Sequence, residues 1–187
     1  DQFARTVSLC CALEKIRHEN LAIIGEDPLD VGIYVGAKTT YNRIDQARDA
    51  ITDLANGTNL DNHLFQITEC PSCGTNLIPQ DGNIGISIQK NSLKYQCLNT
   101  HCDFHNKYNI PVKTVDEDIY RNPPSFLIGT VDKFAMLAWK SESGAIFGSK
   151  PRGQNRIPPS LIIQDELHLI SGPLGTISAV YEAGFDT

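Results

Sequence analysis

Two close pairs of cysteines give this 187-residue sequence its clearest chemical signal. The first pair is a CxxC arrangement followed by Gly74, and the second pair, further along, has four intervening residues. A tetrahedral Zn²⁺ takes four thiolates at about 2.3 Å, and each close pair can supply two of them from one turn. The spacing predicts a structural zinc site with the ligands Cys70, Cys73, Cys97 and Cys102. Four unrelated buried thiols are the alternative.

The remaining cysteines, Cys10 and Cys11, are adjacent in an apolar stretch and are predicted to be buried, unreactive thiols. The N-terminal residues open directly into a helical pattern and do not resemble a secretory leader. Six cysteines then fit a reducing compartment and a metal site better than a disulfide framework. Since no stretch approaches the ~20 apolar residues of a membrane span, we expect a cytoplasmic protein without a membrane partner.

A second signal is a pair of acids after an apolar run. Leu161-Ile162-Ile163 predicts a buried strand, and the sequence Gln-Asp-Glu-Leu-His follows it. In open α/β sheets ligands bind at the carboxyl ends of the strands. In nucleotide hydrolases one acid there holds Mg²⁺ and another polarises the attacking water, roles that suit Asp165 and Glu166. The alternative is that Asp165 caps a helix and Glu166 lies in its first turn.

A third pattern, Gly32 to Thr39, differs from the phosphate-loop pattern GxxxxGK[ST] by Ala37 in place of glycine. Gly32 falls within a predicted strand, and Ala37 lacks the conformational freedom that the last glycine of the loop supplies. We therefore expect that this segment does not hold a triphosphate.

The elements that position these residues alternate between helices and strands. Helices are predicted over 3–18, from a cap at Asn42 to Asn56-Gly57, over 131–139 and over 174–183. Strands are predicted at 31–35, 112–115, 125–129 and 161–163, and a loop over 143–159. Continuous apolar strands that alternate with helices indicate an α/β layer with a mostly parallel sheet.

The sequence pattern changes between residues 64 and 111, where the segment that contains both cysteine pairs also has short β-like runs at 84–88 and 93–96. This segment is interpreted as a zinc-ribbon-like insertion. The predicted organisation is therefore a first part of the α/β domain at 1–63, the insertion at 64–111, and a second part at 112–187. With 16 Lys+Arg against 22 Asp+Glu, the formal charge of −6 excludes a basic-tail DNA binder but not a local basic groove.

The residues quoted above resemble a known family. Ile162 to His168 is similar to motif II, the DExH box, of superfamily 2 helicases. The stretch from Phe126 to Phe134 is similar to the motif Ib region of their first RecA-like domain. Together with the cysteine-rich insertion and the run DELHLISGPLG, the sequence resembles the DrmA-type helicases of the bacterial DISARM anti-phage defence system. The resemblance implies a partial RecA-like (P-loop NTPase) fold.

The resemblance also implies roles for individual residues. Asp165 would coordinate the Mg²⁺ of Mg-ATP, Glu166 would activate the hydrolytic water, and His168 would couple the nucleotide site to strand movement.

Contacts with a DNA or RNA backbone are implied for Thr130, together with Gly129 and Lys133, and for Gly36 in a second loop. For Lys133 a solvated helix face is the alternative. Phe134 and Trp139 have the helical spacing of core residues.

The sequence departs from the helicase pattern, since it has no complete GxxxxGK[ST], no Ser-Ala-Thr motif III and no second RecA-like domain. We therefore expect an internal piece of a longer ATP-dependent helicase, inactive alone and dependent on the rest of the chain and on other DISARM subunits. The alternative function is a zinc-binding structural or interaction module in which DELH is incidental.

Overall fold

The computed structural model describes residues 2–57, 62–79, 82–135, 141–148 and 157–165. The helices are α1 Gln2–Glu19, α2 Leu21–Ile24, α3 Ile44–Ala55, α4 Asp103–Asn106, α5 Asp116–Arg121 and α6 Val131–Ala135. The strands are β1 Val31–Tyr34, β2 Ile86–Gln89, β3 Ser92–Tyr95, β4 Val112–Lys113 and β5 Phe126–Gly129. Short 3-10 helices cover Asn62–Phe65 and Ser141–Phe147. Across these ranges, no helix combines the length and the apolar character that crossing a bilayer requires.

A parallel three-stranded sheet in the order β4-β1-β5 forms the centre of the fold. β1 is buried along its whole length, as its apolar sequence predicts for a strand covered on both faces. At Gly32 a Cβ atom would lie 2.7 Å from Pro124 Cγ and 3.0 Å from Leu127 Cδ1. The glycine therefore serves close packing within β1, which supports the prediction that this segment is not a phosphate loop.

A buried ion pair joins the strands at the amino edge of this sheet. Lys113 Nζ lies 2.6 Å from Asp30 Oδ2, and the two side chains are 7% and 10% exposed. Asp30 Oδ1 accepts a hydrogen bond from the Ser125 backbone N–H, and Lys113 donates to the Asn122 carbonyl. These contacts fix the start of β1 against β4 and the approach to β5.

The predicted helix at the N-terminus is confirmed as α1, which buries Phe3, Val7 and both of its cysteines against the core. Desolvation raises the pKa of Cys10 to about 11 and that of Cys11 to about 12. Because the reactive form of a cysteine is the thiolate, these thiols are unreactive at neutral pH, as predicted.

The hairpin β2–β3 is antiparallel, and both residues of its turn, Lys90 and Asn91, have positive φ angles of 48° and 61°. Two-residue turns of this kind match the twist of paired strands. The hairpin packs in the same hydrophobic cluster as α1, α3 and β1. The insertion boundaries at residues 63 and 111 stay a prediction, but the core is continuous across them.

Other predictions differ from the structure. α5 was not predicted, and Ser141–Phe147 forms a 3-10 helix where a loop was expected. The strand predicted at Leu161–Ile163 is wrong for this structure, since this segment is irregular and Leu161 and Ile163 are 73% and 81% exposed. An apolar run forms a strand only where a neighbouring strand accepts its hydrogen bonds, which the run itself does not provide. The predicted helix at 174–183 and the end of the one at 131–139 lie outside the described residues.

Candidate metal centre and nucleic-acid interface

The four predicted ligands, Cys70, Cys73, Cys97 and Cys102, converge, and their sulfur atoms all lie within 4.8 Å of one another. The Sγ atoms of Cys70 and Cys102 are 3.9 Å apart, and those of Cys73 and Cys97 are 3.4 Å apart. A tetrahedral zinc with Zn–S distances of about 2.3 Å separates its sulfurs by about 3.8 Å. The cluster can therefore hold a metal ion, and its size and its ligand type both suit zinc.

The first cysteine pair is shaped by a tight turn. The Cys70 N–H donates to the Thr75 carbonyl, and the Gly74 N–H donates to the Cys70 carbonyl, both at 2.8 Å. Gly74 has a φ of 74°, in the left-handed region that glycine adopts without steric cost. This turn directs the thiols of Cys70 and Cys73 to the same side, as its glycine predicted.

The second pair is held by the loop that leads into α4. The Cys97 N–H donates to the Phe104 carbonyl at 2.7 Å, and the Cys102 N–H donates to the Asn99 carbonyl at 3.0 Å. His105 Nδ1 lies 2.6 Å from the Cys97 carbonyl oxygen, so this ring supports the loop from outside the sulfur cluster.

The thiols differ in acidity because their surroundings differ. Desolvation raises the pKa of Cys70 and of Cys97 above the ordinary value. Desolvation acts in the same direction on Cys73, but hydrogen bonds from Thr75 and from the neighbouring thiols outweigh it and lower the pKa of Cys73 to about 6. A metal ion that binds here must therefore displace protons from the buried thiols.

The cysteine cluster is attached to α1 by two side-chain contacts. Lys15 Nζ lies 2.7 Å from Asp103 Oδ2, and the ring of His18 stacks on Tyr108 with 4.3 Å between centroids. Both partners on the cluster side lie after the second cysteine pair: Asp103 is the residue that follows Cys102, and Tyr108 comes just after α4. The cluster is therefore held in place relative to the N-terminal helix.

A second group of predicted residues lies at the carboxyl edge of the parallel sheet. β1 and β5 are neighbours, with Tyr34 in register with Gly129, so the loops that follow them emerge side by side. In the first loop the Thr39 N–H donates to the Gly36 carbonyl at 2.8 Å, which turns the chain and leaves Lys38 exposed. We call residues 35–41 the first edge loop.

The second edge loop, which we define as residues 129–133, turns from β5 into α6. The Thr130 N–H donates to the Tyr34 carbonyl at 3.2 Å, and the Thr130 carbonyl accepts from the N–H groups of Lys133 and Phe134. Gly129 and Thr130 are exposed. A Cβ atom at Gly129 would lie 2.6 Å from Phe134 Cε2, so glycine is required for this close approach. The predicted residues Gly36, Gly129 and Thr130 therefore share one edge.

Lys133 differs from its neighbours in this group because its ammonium is buried. Its Nζ lies 2.5 Å from Asp116 Oδ2, and the side chains of the two residues are 10% and 1% exposed. Lys133 also donates to Asn42 Oδ1 at 3.1 Å, and its Nζ lies 5.0 Å from the centroid of the Tyr34 ring. This environment is not the solvated helix face that was the alternative interpretation.

Sequence reasoning missed the partners of Lys133. Asn42 was interpreted as a helix cap, but Arg43 holds that position, and its N–H donates to Gln46 Oε1 at 3.0 Å. Asp116 stands in an acidic run that gave no sign of burial. The acidic run itself was the signal that sequence reasoning could have used. Because acidic residues favour the first turn of a helix, the run predicts a helix that begins there.

The predicted nucleotide residues are described only in part. Asp165 is exposed at the end of the irregular segment 157–165, and Glu166 and His168 lie outside the described residues. Their roles therefore stay predictions from the sequence.

Comparison with known proteins agrees with the family resemblance. No protein-family model matches the chain. The chain is 35% identical to the DISARM protein DrmA of Bacillus paralicheniformis over 217 aligned residues, which cover 97% of this chain and 19% of that protein. The chain thus spans about a fifth of the length of this relative. The resemblance to DrmA-type helicases that the motifs indicated is confirmed.

Proposed function

We propose that this chain is part of an ATP-dependent helicase or translocase of a DISARM anti-phage system, and that its edge loops contact the backbone of DNA. The observation that carries the proposal is the adjacency of the two edge loops at the carboxyl edge of a parallel sheet. The similarity to DrmA over nearly the whole chain supports the choice of this helicase class.

The edge loops offer groups that suit a phosphodiester backbone. Phosphate oxygens accept hydrogen bonds from hydroxyls and ammonium groups, and these contacts position a protein on nucleic acid without reading its sequence. Lys38, Thr39 and Thr130 present such groups at exposed positions, and Gly36, where a Cβ atom would meet nothing within 4 Å, leaves room for the backbone to approach. The interface is expected to bind without strong sequence preference.

For the nucleotide site we propose the roles that the DExH resemblance implies. Asp165 holds Mg²⁺ bound to ATP, Glu166 accepts a proton from the attacking water, and His168 couples this site to nucleic-acid movement. ATP hydrolysis also needs a phosphate-loop lysine and an arginine finger, which the 187 residues do not contain in recognisable form. The isolated chain is therefore expected to hydrolyse no ATP, and a second RecA-like domain and other DISARM subunits are its proposed partners in the cytoplasm.

The ATPase proposal is tested by Glu166→Gln in the full-length protein. Because a general base contributes about 10²- to 10⁴-fold to a rate, the DNA-stimulated ATP turnover is expected to fall by about 100-fold or more. The matched control is Glu19→Gln, an exposed acid at the end of α1, which is expected to leave turnover unchanged. Turnover that survives Glu166→Gln would contradict the helicase interpretation of the DELH box.

For the metal centre we propose structural zinc. Four thiolates complete a tetrahedral zinc and leave no position for substrate, so the ion acts by stabilising the fold. Zinc binding free energy in such small units is folding free energy. The proposed ion would hold the two cysteine turns of segment 64–111 against α1.

A second candidate function is a zinc-binding interaction module without an ATPase role. The observation that favours it is a set of apolar side chains exposed on α1 and α2, which includes Leu9, Ile16 and Ile23. Exposed apolar groups of this kind can mark a protein contact. Survival of ATP turnover in Glu166→Gln would favour this candidate.

A further inference from the structure

Lys133 lies where the two edge loops meet. Its ammonium contacts the Tyr34 ring at the end of β1 and the Asn42 amide oxygen directly after the first edge loop. It therefore contacts the chain on both sides of residues 35–41. Its backbone N–H donates to the Thr130 carbonyl at 3.0 Å, within the second edge loop. One residue thus joins both loops.

The anchor of this arrangement is Asp116 at the start of α5. The Asp116 N–H donates to the Tyr41 carbonyl at 3.3 Å, and the Glu117 N–H donates to the Asn42 carbonyl at 3.1 Å. Glu117 Oε2 also accepts from the Ile44 N–H at 3.0 Å. The carboxylate that faces Lys133 is therefore fixed to the segment that ends the first edge loop.

The charge of Lys133 is neutralised in this position. A phosphate that replaced Asp116 at this ammonium would displace a carboxylate that is 1% exposed. Removing one partner of a buried ion pair leaves the other charge uncompensated, which is strongly unfavourable. Direct phosphate binding by Lys133 would have this free-energy cost. Lys38 is exposed, so phosphate binding by its ammonium has no such cost.

We propose that Lys133 is a positioning residue: paired with Asp116, it holds the two edge loops at a fixed separation so that they bind one nucleic-acid backbone together. The inference rests on the proposed function and deepens it. In this inference the exposed groups of the edge loops bind the phosphates, and the buried pair sets the distance between the loops.

Salt dependence separates the two roles. Each cation that contacts a phosphate releases counterions, so its removal lowers the slope of log affinity against log salt by about one. A positioning residue contributes to affinity without contributing to this slope. In catalysis, misplacing reacting groups by about 1 Å can cost about 100-fold in rate, and we expect misplaced phosphate contacts to lower affinity by the same kind of mechanism.

The experiment uses the full-length protein and a fluorescein-labelled oligodeoxythymidine, titrated over a series of salt concentrations. Asp116→Asn is expected to weaken binding by about tenfold or more with the slope unchanged, because the loops lose their fixed separation. The double variant Asp116→Asn with Lys133→Met removes both charges, leaves neither buried alone, and is expected to show the same loss and the same slope. A second double variant, Asp116→Asn with Lys133→Arg, keeps a cation at position 133 without its carboxylate partner. If this cation does not contact phosphate, its salt slope is expected to equal that of the wild-type protein.

The matched control is Asp30→Asn, which breaks the Asp30–Lys113 pair of similar burial at the opposite edge of the sheet. It is expected to lower the melting temperature of the protein as Asp116→Asn does, but to leave oligonucleotide affinity unchanged. This comparison separates loop positioning from a general loss of stability.

Four results would overturn the inference. Tighter binding by Asp116→Asn, or a slope that falls by about one in the double variant, would assign Lys133 to direct phosphate contact. Equal affinity losses in Asp30→Asn and Asp116→Asn would show a stability effect alone. If the wild-type protein binds no oligonucleotide, the proposed function fails and this inference with it, whereas in the other three cases the proposed function stands.

Discussion

Tyr95 offers a direct test of whether segment 64–111 is part of the domain core. Its hydroxyl donates to the Phe65 carbonyl at 2.6 Å and lies 2.7 Å from Thr114 Oγ1. Its backbone carbonyl accepts from the Ile110 N–H at 2.9 Å. Tyr95, Phe65 and Thr114 are fully buried, so this hydroxyl joins the end of β3, two residues before Cys97, to Phe65 and to the residue after β4.

Replacing Tyr95 with phenylalanine removes this hydroxyl and keeps the ring. Each of two buried hydrogen bonds contributes about 1 kcal/mol, and each partner left unpaired adds a desolvation cost, for a total of about 2 to 4 kcal/mol. For a chain of this size about 1 kcal/mol corresponds to about 2–4 °C, so the melting temperature is expected to fall by roughly 4 to 16 °C.

The assay is thermal unfolding of the chain by circular dichroism with the metal site saturated. Tyr108→Phe is the matched control, since its ring stacks on His18, and it is expected to change the unfolding free energy by less than about 0.5 kcal/mol. A Tyr95→Phe effect as small as that of the control, or a melt that splits into two transitions, would refute the idea that the hairpin and the parallel sheet share one core.

Two further predictions concern metal and pH. The purified chain is expected to contain about one zinc per molecule, and its removal by a chelator is expected to accelerate amide hydrogen exchange in segment 64–111 and in β4; full protection without metal would contradict a structural role. Desolvation alone would raise the pKa of Glu14, but hydrogen bonds from Arg17 and from the Leu29 N–H outweigh it and lower this pKa below its ordinary 4.5. The stability that this carboxylate contributes is therefore present above its ordinary pKa and lost as the pH falls below it, so Glu14→Gln is expected to lower the melting temperature at neutral pH but not in acid; equal losses at both pH values would be inconsistent with this reasoning.

The four-cysteine cluster could be predicted from the sequence because its geometry is mostly local. A CxxC turn followed by Gly74 brings two thiols together whatever the rest of the chain does, and only the meeting of the two pairs needed the fold. The strands β1 and β5 were predicted because continuous apolar runs are typical of the strands of a parallel sheet. β1 is buried along its whole length, whereas Phe126 and Gly129 of β5 are exposed.

The environment of Lys133 could not be predicted in this way. Its pairing with Asp116 depends on how α5 and α6 pack on β1, and neither residue type nor spacing along the chain encodes that contact. The strand expected at Leu161–Ile163 failed for the same kind of reason, because a strand is defined by its neighbours as well as by its own composition. Features set by local chain geometry could therefore be predicted from the sequence, whereas pairings that depend on how the elements pack could not.

The burial of cations changes what the acidic charge of −6 means for nucleic-acid binding. Arg17, Lys113 and Lys133 are all buried against acids, so part of the positive charge of the chain stabilises the fold and is withheld from any phosphate. Within the two edge loops as defined, Lys38 is an exposed cation and Asp132 is an exposed acid, and the other exposed residues are neutral. Because only cations contribute to counterion release, this edge is expected to add about one to the salt slope of the full protein. We therefore expect the contribution of this edge to binding to depend on how the neutral groups are placed, which is the role proposed for the buried Lys133–Asp116 pair.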